Sequence, residues 1–449
     1  DNQTGTSGGT FVAYLFAHNN GDGEFGPDGD QDIIKCGSYT GNGSSQEINI
    51  GFEPQWIMVK NTSDTADWVI FDEMRNFIVS KSGSMDSTKL SPNTTTVEQA
   101  MARIGPHPTG IMFDSEAGSV VNVSGYNYIY MAIRRGPLTP PEAGTEVFAM
   151  DTLGGTSPNP PDFYSGWPVD MSMFRRRSQT ANWATTDRLR GQFSELRTNS
   201  TEAEQSRSQS VGYDQMTGYF DDSNVVSDIV SWMWKRAPGY FDCVAYSGNG
   251  TVGRTVSHNL GVAPEMMWIK RRDTTGSWMV YHKGLNGGTN PEQYVMYLND
   301  TQAPDQTNGP WNYTAPASSV FTLGNNNGVN NSSGDYIAYL FSSLDGVSKV
   351  GSYTGTGSTN ITIDCGFTSG ARFVLIKRTD SSGSWWMADT ARGIVSGNEP
   401  LLPLNATSAD VTGFNMVEPS SSGFIVNGGA GKDNAWNDSG GTYIFYAIA

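Results

Sequence analysis

Apolar positions come in short unbroken runs set between polar, glycine-rich stretches: Trp56-Ile-Met-Val-Lys60, Met266-Met-Trp-Ile-Lys270 and Phe373-Val-Leu-Ile-Lys377, with Val169-Asp-Met-Ser-Met-Phe-Arg175 as a weaker counterpart. Runs this short, bounded by turn formers, predict strands and not helices. A second set, Tyr128-Ile-Tyr-Met-Ala132, Ile229-Val-Ser-Trp-Met233, Tyr336-Ile-Ala-Tyr-Leu-Phe341 and Tyr443-Ile-Phe-Tyr-Ala447, is β-branched and aromatic, suited to a pleated, buried surface. A third, Cys36-Gly-Ser-Tyr-Thr-Gly-Asn-Gly43, Cys243-Val-Ala-Tyr-Ser-Gly-Asn-Gly250 and Val350-Gly-Ser-Tyr-Thr-Gly-Thr-Gly357, reads as a strand entering a glycine turn.

These runs recur in register. Each strand-ending cation, Lys60, Arg175, Lys270 or Lys377, stands eight positions before a tryptophan, Trp68, Trp183, Trp278 or Trp385. Successive tryptophans lie 115, 95 and 107 residues apart, a period of roughly the size at which a small β-sandwich buries its own core. The expected fold is therefore all-β: a tandem array of about four small antiparallel β-sandwich modules of jelly-roll or concanavalin-like type. The modules are placed at residues 35–136, 142–236 (degenerate, without the opening signature), 240–342 and 349–449. Residues two positions after the tryptophans, Ile70, Val280 and Met387 with Thr185 as the exception, share their face and are mostly apolar. The tryptophans are accordingly expected to fill the module interiors rather than to form sugar platforms. Module-specific aromatics, Tyr213, Tyr219, Trp311 and Tyr313, are the better platform candidates.

Residues 1–34 read as a detached closing strand plus an acidic loop. Gly9-Thr-Phe-Val-Ala-Tyr-Leu-Phe16 copies Asp335-Tyr-Ile-Ala-Tyr-Leu-Phe341, so it belongs to an upstream module that has been cut away or processed, or it is donated to another chain. Proline-bearing linkers, Arg134-Arg-Gly-Pro-Leu-Thr-Pro-Pro141 and Lys235-Arg-Ala-Pro-Gly239, imply stiff junctions.

Composition adds limits. With 53 Gly, 19 Tyr, 12 Trp and 16% charged residues, no helix of consequence is expected before residue 190, and Phe193–Ser210 reads as a polar excursion with at most one helical turn. A net charge of -17 argues against a nucleic-acid partner, which would be repelled. The basic islands Arg175-Arg-Arg177 with Arg188 and Arg190, and Lys270-Arg-Arg272, are expected to be solvated hairpin tips. No stretch reaches the roughly 18 to 20 apolar residues that a spanning helix needs, so membrane insertion is not expected. Cys36, Cys243 and Cys365 sit in different modules as small apolar residues, without a disulfide plan.

Chemical motifs are sparse. Gly248-Asn-Gly-Thr-Val-Gly253 has the letters of a dinucleotide fingerprint, but strand-like residues follow it where a helix is required, so it reads as a hairpin turn. Gly5-Thr-Ser-Gly-Gly9 matches a nucleophile elbow only in letters. The four histidines, His18, His107, His258 and His282, share no metal-ligand spacing, and no Glu-x-Asp occurs. Asp72 with Arg75, Asp187 with Arg190, and Asp389 with Arg392 read as exposed turn salt bridges, worth at most about 1 kcal/mol. Asp28, Asp30 and Asp32 are the one candidate metal site, for calcium, against the plainer reading of a solvated acidic turn. No catalytic and no cofactor-binding residue is assigned.

The runs Arg236-Ala-Pro-Gly-Tyr-Phe-Asp-Cys-Val-Ala-Tyr-Ser-Gly-Asn-Gly250, Arg254-Thr-Val-Ser-His-Asn-Leu-Gly-Val-Ala-Pro-Glu-Met-Met-Trp-Ile-Lys-Arg271 and Lys349-Val-Gly-Ser-Tyr-Thr-Gly-Thr-Gly357 resemble the repeated β-sandwich modules of marine tailed-bacteriophage virion proteins, notably those of cyanophages. The resemblance covers modules one, three and four well and module two poorly. It implies a non-enzymatic virion structural protein, tail-fibre-like, that contacts other virion proteins, copies of itself and host-surface glycan or protein. It carries over no catalytic residue. Capsid decoration and glycan depolymerisation are the alternative functions. No heptad or other trimerisation signal is visible.

Overall fold

The computed structural model describes residues 7–18, 25–26, 28–81, 87–100, 104–114, 120–152, 161–221, 228–307, 309–428 and 435–449. Among them the regular structure is almost wholly antiparallel strand, with one four-residue α-helix, Asn327–Asn330, and a few single 3-10 turns.

One sheet plan occurs four times. In the first sandwich the strand order is Ile34–Thr40, Asn127–Arg134, Pro54–Asn61, Trp68–Asp72, so the closing strand lies between the opening strand and the tryptophan hairpin. The second repeats that order with Phe148–Asp151, Ile229–Trp234, Met171–Arg176 and Ala184–Asp187, although it lacks the opening signature. The third uses Phe241–Ser247, Asp335–Phe341, Met266–Arg271 and Met279–His282. The fourth uses Ser348–Thr354, Thr442–Ile448, Phe373–Arg378 and Trp385–Asp389. A smaller sheet covers one face of each, for example Gln46–Asn49, Gly110–Phe113 and Ile104–His107 in the first. In the first, third and fourth sandwiches the glycine turn after the opening strand crosses between these two sheets instead of closing a hairpin: in the third, Phe241–Ser247 pairs with Asp335–Phe341, and Arg254–Ser257 pairs with Val320–Leu323. Gly250 and Gly253 take positive φ, 70° and 78°, which the crossing requires and side chains resist.

The eight-residue interval is a property of one hairpin. Lys60 pairs across the strands with Trp68, and Lys377 with Trp385, which puts cation and indole side by side on the same face. That face is not the sandwich interior. Each sandwich has its own core, built in the third from residues such as Tyr246, Met267, Phe321 and Tyr336. Trp183, Trp278 and Trp385 belong instead to a fifth core, shared by the outer faces of sandwiches two, three and four. The expectation that the indoles fill separate modules is thus corrected. The strands of these three sandwiches are apolar on both faces, so each sheet needs a second partner, and the three sheets supply one another. Phe341 meets Tyr446 at 5.1 Å between ring centroids, and Phe148 meets Phe373 at 5.4 Å.

The contacts around this core run in a closed cycle. The Trp183 indole donates to the Pro403 carbonyl at 3.1 Å, Trp385 to Tyr297 at 3.0 Å, and Trp278 to Arg197 at 2.9 Å, linking second to fourth, fourth to third and third to second. The strand-end cations follow the same circuit. Arg175 donates to the carbonyls of Ala406, Thr407 and Ser408, Lys377 to Thr301 and Gln302, and Lys270 to Thr201. These cations are buried, not solvated hairpin tips: burial pushes Lys270 and Lys377 down to about 8, and Arg175 to about 10. The polar excursion at 193–210 forms no helical turn. It pairs Ser194–Glu195 with Gln205–Ser206 and presents Arg197 and Thr201 to the third sandwich.

Two of the three Asp-x-x-Arg pairs are also interior. Asp187–Arg190 and Asp389–Arg392 have fully buried side chains, and each aspartate accepts a further bond from a neighbouring sandwich, from Tyr339 Oη at 2.6 Å and Trp232 Nε1 at 3.0 Å. Buried charges at this price are stable only because every partner is present.

Candidate functional site

The cleft between the first and second sandwiches is built by two copies of one local motif. A tryptophan strand ends in an aspartate that caps a 3-10 turn: the Asp72 Oδ1 accepts from Met74 N at 3.1 Å ahead of Glu73–Arg75, and the Asp187 Oδ1 from Arg190 N at 2.9 Å ahead of Arg188–Arg190. The turns lock together. Arg188 donates to the Glu73 carbonyl at 3.2 Å, and Val79 N to the Leu189 carbonyl at 2.7 Å. Gly191, at φ 84°, lies against Asn76 and Ile78, where a Cβ would stand 3.1 Å from each.

The cleft holds about 330 Å³ and is walled chiefly by polar groups, among them Arg75, Asn76, Glu98, Gln192 and Asp214. Glu73 sits on its floor. Burial pushes its carboxyl up to about 7 against the pull of Arg135 and Arg188, with the nearby Glu53 and Asp170 carboxylates adding to the rise. Its Oε1 is sealed from solvent and has no hydrogen-bond partner among the described residues. Arg75 closes one side, bonded through Nε to Asp72 at 2.7 Å and lying 3.5 Å from Glu98. Tyr213 is wall, its hydroxyl committed to Ser172 and Thr186 at 2.9 and 2.6 Å.

Behind the cleft an ion network ties the first sandwich to the next two. Arg236 holds Glu53 through both terminal nitrogens, at 2.7 and 2.6 Å, and Asp242 through Nε at 2.6 Å. Burial opposes ionisation of Glu53, but Arg236 and Arg135 outweigh it and hold the carboxyl at about 2. Glu204 is held at about 2 in the same way, by Arg272 and Arg190 against burial. Arg272 also donates to the Val79 carbonyl at 2.8 Å.

The arrangement offers side-chain donors and acceptors around a water-open hollow, which suits a hydroxyl-rich ligand. The Glu73 carboxyl turns an oxygen inward, so it supports the walls rather than reaching for a ligand.

Other expected positions lie elsewhere. Asp28 and Asp30 are exposed, while Asp32 lies 3.5 Å from Lys35. Among the described residues no group of three potential metal ligands gathers. Of the four loop aromatics, Tyr213, Tyr219 and Trp311 are buried core residues, which corrects the platform expectation, and only Tyr313 is exposed, at 53%. Cys243 and Cys365 are buried thiols, and Cys36 is half-buried. His282 is buried and pushed down to about 4 by burial, with Nε2 3.2 Å from the Phe445 carbonyl.

A model of a protein family described as "Domain of unknown function (DUF7483)" matches residues 1–137 and 155–449. The chain belongs to the DUF7483 family. No curated protein and no solved structure matches it.

Glu98 and Glu204 of this DUF7483 chain do not stand out from motif patterns, yet a signal exists. An acid follows the turn asparagine by five positions at Asn93/Glu98, Asn199/Glu204 and Asn405/Asp410, in the three sandwiches that keep the Asp-x-x-Arg arginine. In each, that acid is the arginine's second partner, at 3.5, 3.3 and 2.8 Å.

Proposed function

We propose that this DUF7483 protein is a non-enzymatic structural protein of a phage virion, part of a tail fibre or tail appendage that contacts host-surface glycan or protein. The observation that carries this reading is how the repeats are used. Their most conspicuous ionisable residues, Arg190, Arg236, Glu53, Glu204 and Asp187, are committed to fastening one sandwich to the next. A body fastened in this way transmits force and holds its loops in fixed relation, as an appendage outside the cell requires. The resemblance to virion modules supplies the setting, and the polar cleft between the first two sandwiches supplies a place for a glycan. Single contacts there would be weak, with avidity from several copies raising the total.

The purified protein is expected to adsorb to host cells and to compete with phage, and Asn76→Ala with Gln192→Ala to weaken adsorption. Equal binding to non-host cells counts against host recognition. Labelling of the chain on capsid rather than tail moves the assignment to capsid decoration. Release of reducing sugar from host polysaccharide makes it a depolymerase.

A further inference from the structure

The first sandwich carries the parts that close the cycle of the other three but does not use them. Its face is equivalent by strand register: Met58 pairs with Ile70 and Met131, as Trp268 pairs with Val280 and Tyr339, and Leu375 with Met387 and Tyr446. The turn that receives a neighbour's indole is also present. Asn93 Oδ1 accepts from Trp68 N at 3.0 Å, as Asn199, Asn299 and Asn405 accept from their own tryptophans at 2.9, 2.8 and 2.8 Å. Thr94 N bonds the Ser91 carbonyl at 3.2 Å, the turn that Ser200, Asp300 and Ala406 make with Arg197, Tyr297 and Pro403. Those three carbonyls are the ones that accept the cycle's indoles.

Among the described residues of the first sandwich nothing fills these roles. Lys60 bonds the Ala66 carbonyl of its own loop, as Lys270 bonds Gly276, but unlike Lys270 with Thr201 it reaches no carbonyl of another sandwich among the described residues, and the Trp68 indole donates no hydrogen bond among them. Trp56, Met58, Trp68, Ile70 and Met131 are only half-buried, and Ile129 is 42% exposed, whereas its counterparts Ile337 and Ile444 are buried in the shared core. The strands Pro54–Asn61 and Asn127–Arg134 are nonetheless apolar on both faces in sequence, the pattern of a sheet covered twice.

We infer that this face is an interface between copies of the chain, and that three copies close around it as sandwiches two, three and four close within one chain. Donors and acceptor turn lie on different parts of the face, so each contact is head-to-tail and propagates until a rotation closes it, and the same parts inside the chain close after three. Each Trp68 indole would donate to the next copy's Ser91 carbonyl, and each Lys60 to its Thr95 carbonyl, the counterpart of Thr201 and Thr301. One contact would not transfer. Met131 stands where Tyr339 and Trp232 bond an aspartate, so Asp72 would remain with Arg75. The inference is independent of the virion reading.

Light scattering and sedimentation of the 449-residue chain test it. The expected mass is three times the 48.5 kDa of one chain. Ile129→Lys, at the most exposed apolar position of the face, should fold with an unchanged circular dichroism spectrum and weaken association about 100-fold or more, because the ammonium would be buried without a partner. Trp68→Phe keeps the ring but not the indole donor, and should weaken association by a smaller factor of about 10. A monomer or dimer at all concentrations overturns the inference, as does a trimer that both variants leave intact. If instead another segment or protein covers the face, the chain alone stays monomeric and the inference fails.

Discussion

Trp278 and Trp68 begin from the same local sequence logic, a cation eight residues earlier and an asparagine turn later, and finish in different places. The first lies in a core shared by three sheets, with its indole bonded to another sandwich; the second lies half-exposed on a sheet face that nothing described covers. The lesson is that the repeat specifies an interface as well as a fold. A sandwich needs only one apolar sheet face to be stable, and the repeat supplies two. Where three such sheets meet, the second faces together form the largest core among the described residues; where one is left over, it stays available.

That contrast can be broken first at the buried indoles and ion pairs. Trp278→Ala should cost about 3–5 kcal/mol in denaturant unfolding, whereas Trp68→Ala should cost the single chain about 1 kcal/mol and act on association instead. Equal losses would remove the distinction between ring and outlier. The arginines follow the same division. Arg190→Ala leaves Asp187 and Glu204 buried without their cation and should cost about 3–5 kcal/mol, while Arg75→Ala, in a partly exposed pair, should cost under about 1 kcal/mol.

Acid sharpens the comparison next. Glu53 and Glu204 are held at about 2, below their ordinary value of 4.5. Their contribution, up to about 3 kcal/mol each, is therefore present above pH 4.5 and lost as pH falls towards 2. Chemical unfolding across that window should show the loss, and Glu204→Gln should flatten it, while Glu98→Gln at the equivalent exposed site should leave the profile within about 0.5 kcal/mol. The opposite sign is expected at Glu73, whose folded pKa is raised to about 7. Unfolded chain ionises this group from pH 4.5 upwards before the folded chain does, so stability is lost as pH rises through 7. Glu73→Gln should stabilise the protein by about 1–2 kcal/mol at pH 8 and leave it unchanged at pH 4; a destabilised variant at pH 8 would show that the carboxylate is needed in its ionised form.

Much of the architecture was readable. Short apolar runs with turn formers between them marked the strands, and the cation-to-tryptophan interval marked the same hairpin four times, because cross-strand partners on one face must lie at a fixed separation around a fixed loop. The site was less readable. Glu73 follows Asp72 at a position where the other sandwiches have Arg188, Lys283 and Thr390, so no repeat draws the eye to it, and its raised pKa comes from the docking of a second sandwich. The burial of the strand-end cations is not legible in the sequence, because a lysine at the end of a hairpin strand is ordinarily solvated. Lys270 and Lys377 are buried only because the adjoining sandwich brings carbonyl oxygens to them.

By itself, the sequence determined the strands, the fourfold repeat and the presence of apolar residues on both faces of the tryptophan sheets, since alternation and spacing are local properties of the chain. Only the tertiary structure decided which of those faces would meet. Contacts between residues a hundred or more positions apart, such as Trp183 with Pro403 or Glu53 with Arg236, depend on how whole sandwiches dock, and a periodic pattern gives each copy the same surface without saying which copy is left outside.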